Sequence, residues 1–361
     1  MSRKLLSYTA ISLVLGNAAF ADVPKVAVDI APVHSLVARV MEGVGTPKLV
    51  IPAGASPHGY SLRPSEAKSL QDADMVIWMG EDLAPWMENS IETLSNNAEV
   101  ITLLEESGTK LLDFREGALF EEHDHGDHDD HDDHDKDHDD HDDHDDHDDH
   151  DKDHDDHDDH DKDHDDHDDH DKDHDDHDDH DDHDDHDEHA HGEHDPHAWL
   201  SIENAQTWLN LVAGKLSAAD PENAGVYFAN AAEARAEIDE LVKEVNNILE
   251  PVRGRNFVVF HDAYQYFETS FDFPAAGAIS LGDASDPSAA RIAEIQDRVK
   301  DEGINCVLSE PQYNPNLVTT VLSGTDAKTG VIDPLGASLE PGPKLYRDLI
   351  RNMAKSLAGC L

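Results

Sequence analysis

Residues Pro221–Pro251, PENAGVYFANAAEARAEIDELVKEVNNILEP, decide the architecture. Ile238, Leu241, Val245 and Leu249 recur at helical spacing, so the stretch predicts a helix rather than a strand. Asp220 is the expected N-cap, and Pro221 takes the first helical position, where its missing N–H costs nothing. Such a helix would run roughly 45 Å at about 1.5 Å per residue. That is long enough for a spine between two lobes; the alternative is a helix packed within one lobe.

On both sides of the spine, short apolar, β-branched runs alternate with helical segments. Before it, strands are expected at Val26–Ile30, Lys48–Ile51, Met75–Trp78 and Val100–Leu103, with helices near Ser35–Glu42 and Pro64–Gln71. After it, strands are expected at Phe257–Phe260, Ala276–Ser280, Cys306–Ser309 and Gly330–Ile332, with helices near Ala289–Glu302 and Asn316–Leu322. This alternation predicts parallel sheets covered by helices. The expected fold is therefore α/β: two lobes with mainly parallel sheets, joined by a long helix. The expected boundaries are a leader at 1–21, an N-terminal lobe at 22–220, the linker helix at 221–252 and a C-terminal lobe at 253–361.

The charge is not spread evenly. The 361 residues carry a formal −56, and −40 of it lies between Glu121 and Asp195, where 24 of the 28 histidines also sit. From His144 to Asp173 the tract repeats HDDHDDHDKD three times. It has no hydrophobic side chain up to Glu188 with which to bury a core, so 121–195 is expected to be a disordered loop. It is not an EF-hand array, because no glycine follows the Asp151-x-Asp153-x-Asp155 spacing at position six. Without the tract the chain is mildly acidic. This balance argues against nucleic-acid binding, which needs a basic footprint.

Arg3 and Lys4 precede an apolar run, Leu5–Leu15, and then Ala19-Phe20-Ala21. This is the pattern of a secretory signal peptide cut near Ala21, and the run is too short to span a membrane. The two cysteines, Cys306 and Cys360, are most simply a disulfide after export; a thiolate metal site is the competing reading.

Outside the tract four histidines remain: His34, His58, His197 and His261. His58 lies in the loop after the second strand, within ASPHGY. His197 lies where the tract re-enters folded chain, within DPHAWL. His261 follows a strand, within FHDAY, and Asp333 follows another, within IDPLG. Ligands of open α/β sheets bind beyond the carboxyl ends of the strands, and His58, His261 and Asp333 fall at such ends. Residues from both lobes could thus converge in the cleft. Three imidazoles with a carboxylate or water suit four-coordinate zinc; imidazole also suits copper and nickel, and manganese prefers more oxygen. Singly, each histidine reads equally well as a hydrogen-bonded core side chain. His34, at the end of the first strand, is read as structural. Glu310, at the end of a third strand, is a candidate to orient a ligand histidine. Of the neighbours, His191 and His194 compete with His197, which is preferred because it adjoins the apolar Trp199-Leu200. Neither HExxH nor GxSxG occurs, which favours binding over catalysis.

At these motifs the chain resembles the cluster A-I, or ZnuA-type, substrate-binding proteins of bacterial zinc ABC importers. The resemblance covers nearly the whole mature chain: ASPHGYSLRPSEAKSLQDADMVIWMG, HAWLS after a charged loop, FVVFHDAYQYF, EPQY and VIDPLG. It implies two α/β lobes on a rigid helix, with a metal ion between them. The family's ligand histidines fall on His58, His197 and His261. A histidine in the third place points to zinc, where manganese and iron members carry a carboxylate. Asp333 matches the family's aspartate position. Some zinc members carry an acidic residue before the first histidine; here it is Pro57, which leaves water or Asp333 as the fourth ligand. The family's C-terminal cysteine pair resembles Cys306 and Cys360. The resemblance also implies a monomer in the periplasm that captures Zn²⁺ and hands it to a membrane permease. The tract, with two dozen imidazoles among carboxylates, reads as a low-affinity zinc collector; the alternative is a solvated acidic spacer. The rival readings are a manganese, nickel or copper protein of the same family, and a periplasmic metal store or chaperone.

Overall fold

The apolar runs form the strands of two four-stranded sheets. The computed structural model describes residues 23–115, 194–280, 288–301, 303–313 and 315–361. The expected leader, most of the tract and His191 lie outside the described residues.

The first sheet contains β1 (Val26–Val28), β2 (Lys48–Leu49), β3 (Met75–Trp78) and β4 (Glu99–Thr102), in the order β2-β1-β3-β4. The second contains β5 (Phe257–His261), β6 (Gly277–Ser280), β7 (Cys306–Ser309) and β8 (Lys328–Val331), in the order β6-β5-β7-β8. Every pairing is parallel. The two halves thus share one topology: the chain steps from its first strand to one side, then returns to the other. Beyond the point of return, between the first and third strands, the loops diverge and leave room for a ligand. Strands β1, β3, β5, β6 and β7 are buried along their whole length, which is why they read as unbroken apolar runs.

Nine helices occur among the described residues. Around the first sheet lie α1 (Ala31–Val40), α2 (Pro64–Gln71) and α3 (Pro85–Leu94); α4 (Ile202–Ala219) and α5 (Ala224–Leu249) follow. Around the second lie α6 (Gln265–Phe271), α7 (Ala289–Asp301), α8 (Pro315–Val321) and α9 (Leu345–Cys360). One continuous apolar core draws on both sheets through α1, α4, α5 and α9. Smaller clusters close the outer faces: α2 and α3 on the first sheet, α7 on the second. The described residues form a single unit.

The spine helix is present but starts later than its sequence suggests. Asp220 ends α4 instead of starting α5, and Asn223 takes the cap position. The Asp220 carboxylate accepts from Asn223 Nδ2 at 2.7 Å and Tyr227 Oη at 2.8 Å, so it ties the corner between the two helices. The 26 residues of α5 span about 39 Å. Helices α3, α4, α6 and α9 were not anticipated. In α4 the signal was present, since Ala205, Trp208, Leu209, Val212, Ala213 and Leu216 are buried at helical spacing behind a Ser201 cap.

Cys306 in β7 and Cys360 at the end of α9 form a disulfide, with Cα atoms 5.7 Å apart. It fastens the last helix to the second sheet. At its other end α9 is tied to the first lobe, where Tyr346 N donates to Ser35 Oγ at 2.9 Å.

Candidate metal centre

Two loops and the end of a strand deliver three imidazoles to one point. His58 lies in the 52–63 loop between β2 and α2. Trp86 Nε1 donates to the adjoining Pro57 carbonyl at 2.7 Å. Tyr60 Oη donates to Glu66 at 2.9 and 3.0 Å, and Glu66 also accepts from Arg63 N at 2.7 Å. The loop is therefore pinned on both sides of His58. His197 caps a short 3-10 turn, Ala198–Leu200. His261 is the last residue of β5, at the point of return in the second sheet.

Ring centroids of His197 lie 5.4 Å from His58 and 5.2 Å from His261, and those of His58 and His261 are 6.4 Å apart. One nitrogen from each can be chosen so that all three lie within 4.8 Å of one another. Among the described residues this is the only group of three or more such side chains placed to hold a metal ion. His197 and His261 are 1% and 3% exposed. The cavity against them measures about 10 Å³, room for one water-sized occupant.

Two carboxylates set the ring orientations. Asp195 Oδ1 lies 2.7 Å from His197 Nδ1, and Glu310 Oε1 lies 2.6 Å from His261 Nδ1. A carboxylate there holds the proton on Nδ1 and leaves the Nε2 lone pair for a metal. Asp195 Oδ1 also accepts from His197 N at 2.9 Å, and Glu310 is buried. Trp199 packs 5.2 Å from His197 and donates to Pro334 O at 2.9 Å, so it joins the two lobes behind the site. Burial holds the Tyr264 hydroxyl well above its usual range, and the Glu310 charge adds to it. Burial also raises the Asp262 carboxyl, against the opposing charge of Arg115.

Other sequence candidates go elsewhere. Asp333 is not brought into the cluster. Its carboxylate accepts from Leu335 N, Gly336 N and Ala337 N at 3.1, 2.9 and 2.6 Å, so it organises its own loop. Those three bonds hold Asp333 to its own loop, and among the described residues no carboxylate joins the three histidines. His34 is buried in α1, 3.2 Å from the Pro47 carbonyl, and stands apart from the site. His194 pairs with Asp113 at 2.9 Å at the foot of the tract. Asp195 was placed in the disordered tract on composition; it belongs to the folded site. In a run of 44 acidic residues the one that orients His197 has no contrast. Trp86 packs against the core and also fixes the His58 loop.

Comparison with known proteins gives a consistent picture. The family model described as "Zinc-uptake complex component A periplasmic" matches residues 26–360. A relative from Brucella abortus (strain 2308), named "High-affinity zinc uptake system protein ZnuA", is 45% identical over 93% of this chain and 91% of its own. One of the same name from Paracoccus denitrificans is 44% identical, over 98% of each chain. Among solved structures, "Crystal structure of ZnuA" aligns with a TM-score of 0.66 at 18% identity, over 94% of this chain and 99% of that one. A laminin-binding adhesin of Streptococcus agalactiae aligns at 0.65 and 19% identity, over 94% and 99%, and shows the same fold.

Proposed function

The chain belongs to the ZnuA family of zinc-uptake components, and from that premise we propose that it captures one Zn²⁺ in the periplasm for an ABC permease. The observation that carries this reading is the buried trio His58, His197 and His261, with two of its rings oriented by carboxylates. Three neutral nitrogens and an open fourth position suit zinc better than manganese, which prefers oxygen. Water is the fourth ligand, because among the described residues no carboxylate joins the three histidines and Asp333 is held in its own loop. The ligand histidines come from loops of the first lobe and from the end of β5 in the second, so a bound ion bridges the two lobes.

No helix among the described residues is long and apolar enough to cross a membrane. A binding protein that receives the ion outside and passes it on needs no membrane span of its own. The 24 histidines of the tract, all but His191 beside a carboxylate, add many weak sites at small loop cost. We assign them the role of concentrating zinc near the cleft.

Calorimetry with a competing chelator tests the reading. The full chain should bind one zinc ion tightly, and His58→Ala or His261→Ala should remove that ion while weak binding persists. If both variants keep the tight ion, the cleft site is wrong.

A further inference from the structure

Residues 110–115, the last described stretch before the tract, support two of the three histidines at once. Leu112 O accepts from Asp195 N at 2.8 Å. Leu112 N donates to Tyr266 Oη at 2.9 Å, and that hydroxyl donates to Asp195 O at 3.0 Å. This ring of bonds holds the residue that orients His197. Lys110 adds a reciprocal pair with Asn204, at 2.7 and 3.0 Å, which fixes the start of the segment to α4.

Three residues after Leu112, the Arg115 guanidinium lies between two acidic side chains. Its Nε donates to Asp262 Oδ2 at 3.0 Å, and Nη2 meets Asp262 Oδ1. Its Nη1 and Nη2 donate to Glu268 at 2.8 and 3.1 Å. Asp262 directly follows His261, and Glu268 lies in α6 and accepts from Ala275 N at 3.1 Å. The Asp262 and Glu268 side chains are only 9% and 6% exposed, so neither is well solvated without the arginine. A forked, planar cation can serve both carboxylates together; a lysine ammonium cannot reproduce that geometry.

We propose that Arg115 is a positioning residue for the metal site: by fixing Asp262 it sets the backbone from which His261 presents its ring to Glu310 and the metal. The entry to the tract is then a working part of the site, with Asp195 supporting His197 and Arg115 supporting His261. The inference rests on the zinc reading given above.

The test uses the full-length chain and two variants. Arg115→Lys keeps the charge and loses the fork. The triple variant R115M/D262N/E268Q removes all three buried charges together and so avoids stranding a carboxylate. Zinc affinity is read by chelator competition, folding by thermal unfolding of the zinc-free protein, and the His261 ring by nitrogen NMR. Both variants should bind the tight zinc about ten- to a hundred-fold more weakly, the usual effect of losing an outer-shell partner. The His261 ring signals should change even where the melting temperature does not. Should Arg115→Lys fail to fold, the triple variant alone decides. Wild-type affinity and ring signals in a folded variant, with or without a lower melting temperature, would overturn the inference and leave the zinc site standing. A wild-type chain that binds no tight zinc would overturn both.

Discussion

Asp195 and Glu310 each hold one nitrogen of a buried histidine, and the chemistry of the site turns on those two contacts. Asp195→Asn and Glu310→Gln keep the shape and lose the charge. Each should weaken zinc binding by roughly ten-fold or more in chelator competition; unchanged affinity in either would show that its histidine is held by packing alone. Glu310 was legible in the sequence because it ends a strand. Asp195 was not, because pairing across two residues depends on a turn that no pattern in an acidic run reveals. A different residue carries a pH effect. Burial lowers the proton affinity of His34, with the Pro47 carbonyl opposing. Below about pH 6.5 the unfolded chain therefore binds more protons than the folded one, and stability falls as the pH drops through that value. Denaturant unfolding at pH 7.5 and 5.5 should show a smaller acid loss for His34→Gln than for the parent. Equal losses would remove His34 as a source of acid sensitivity.

At the scale of elements, the junction of α9 with the second sheet is tightest at Gly330. A Cβ there would lie 3.0 Å from Leu308 Cδ2 and 3.2 Å from both Cβ and Sγ of Cys360. The glycine in β8 exists so that the disulfide can pack against the sheet. Gly330→Ala should cost about 1–3 kcal/mol of stability through overpacking, read by denaturant unfolding. The disulfide closes a loop of sequence separation 54, and on the chain-entropy model its removal as C306S/C360S costs about 4 kcal/mol. A loss well under half of that would mean α9 is held mainly by its apolar face, which is buried at Leu345, Leu349, Ile350, Met353 and Leu357. Those positions recur at helical spacing, so α9 was legible in principle, as α4 was. The start of α5 was not: Asp220-Pro221 looks like a helix opening, and only the packing of Tyr227 against Asp220 makes it a corner.

For the whole molecule, the boundary of the tract matters more than its length. A deletion of 116–193 leaves Asp195 and the Asp113–His194 bridge residues in place, and should keep one tight zinc while losing the weak ions. Extending the deletion through Asp195 should weaken the tight ion as well. If the shorter deletion still binds several ions, the collector role fails; if it loses the tight ion, the cleft reading fails. Zinc should also raise the melting temperature of the shorter deletion, because an ion at a thousand times its dissociation constant stabilises the folded state by about 4 kcal/mol.

The sequence by itself determined the class of fold, the two sets of parallel strands, the long helix, the cysteine pair and the three histidines. Each of these rests on local periodicity, composition or a motif in neighbouring residues. Only the tertiary structure decided that Asp333 serves its own loop, that Asp195 belongs to the site, and that Arg115 joins Asp262 to Glu268. Those facts depend on which donors surround a carboxylate once the chain has folded. Arg115 meets its two carboxylates across 147 and 153 residues of sequence, which no local pattern encodes, whereas Asp195 and Asp333 bond within four residues but only in turns whose shape the fold fixes.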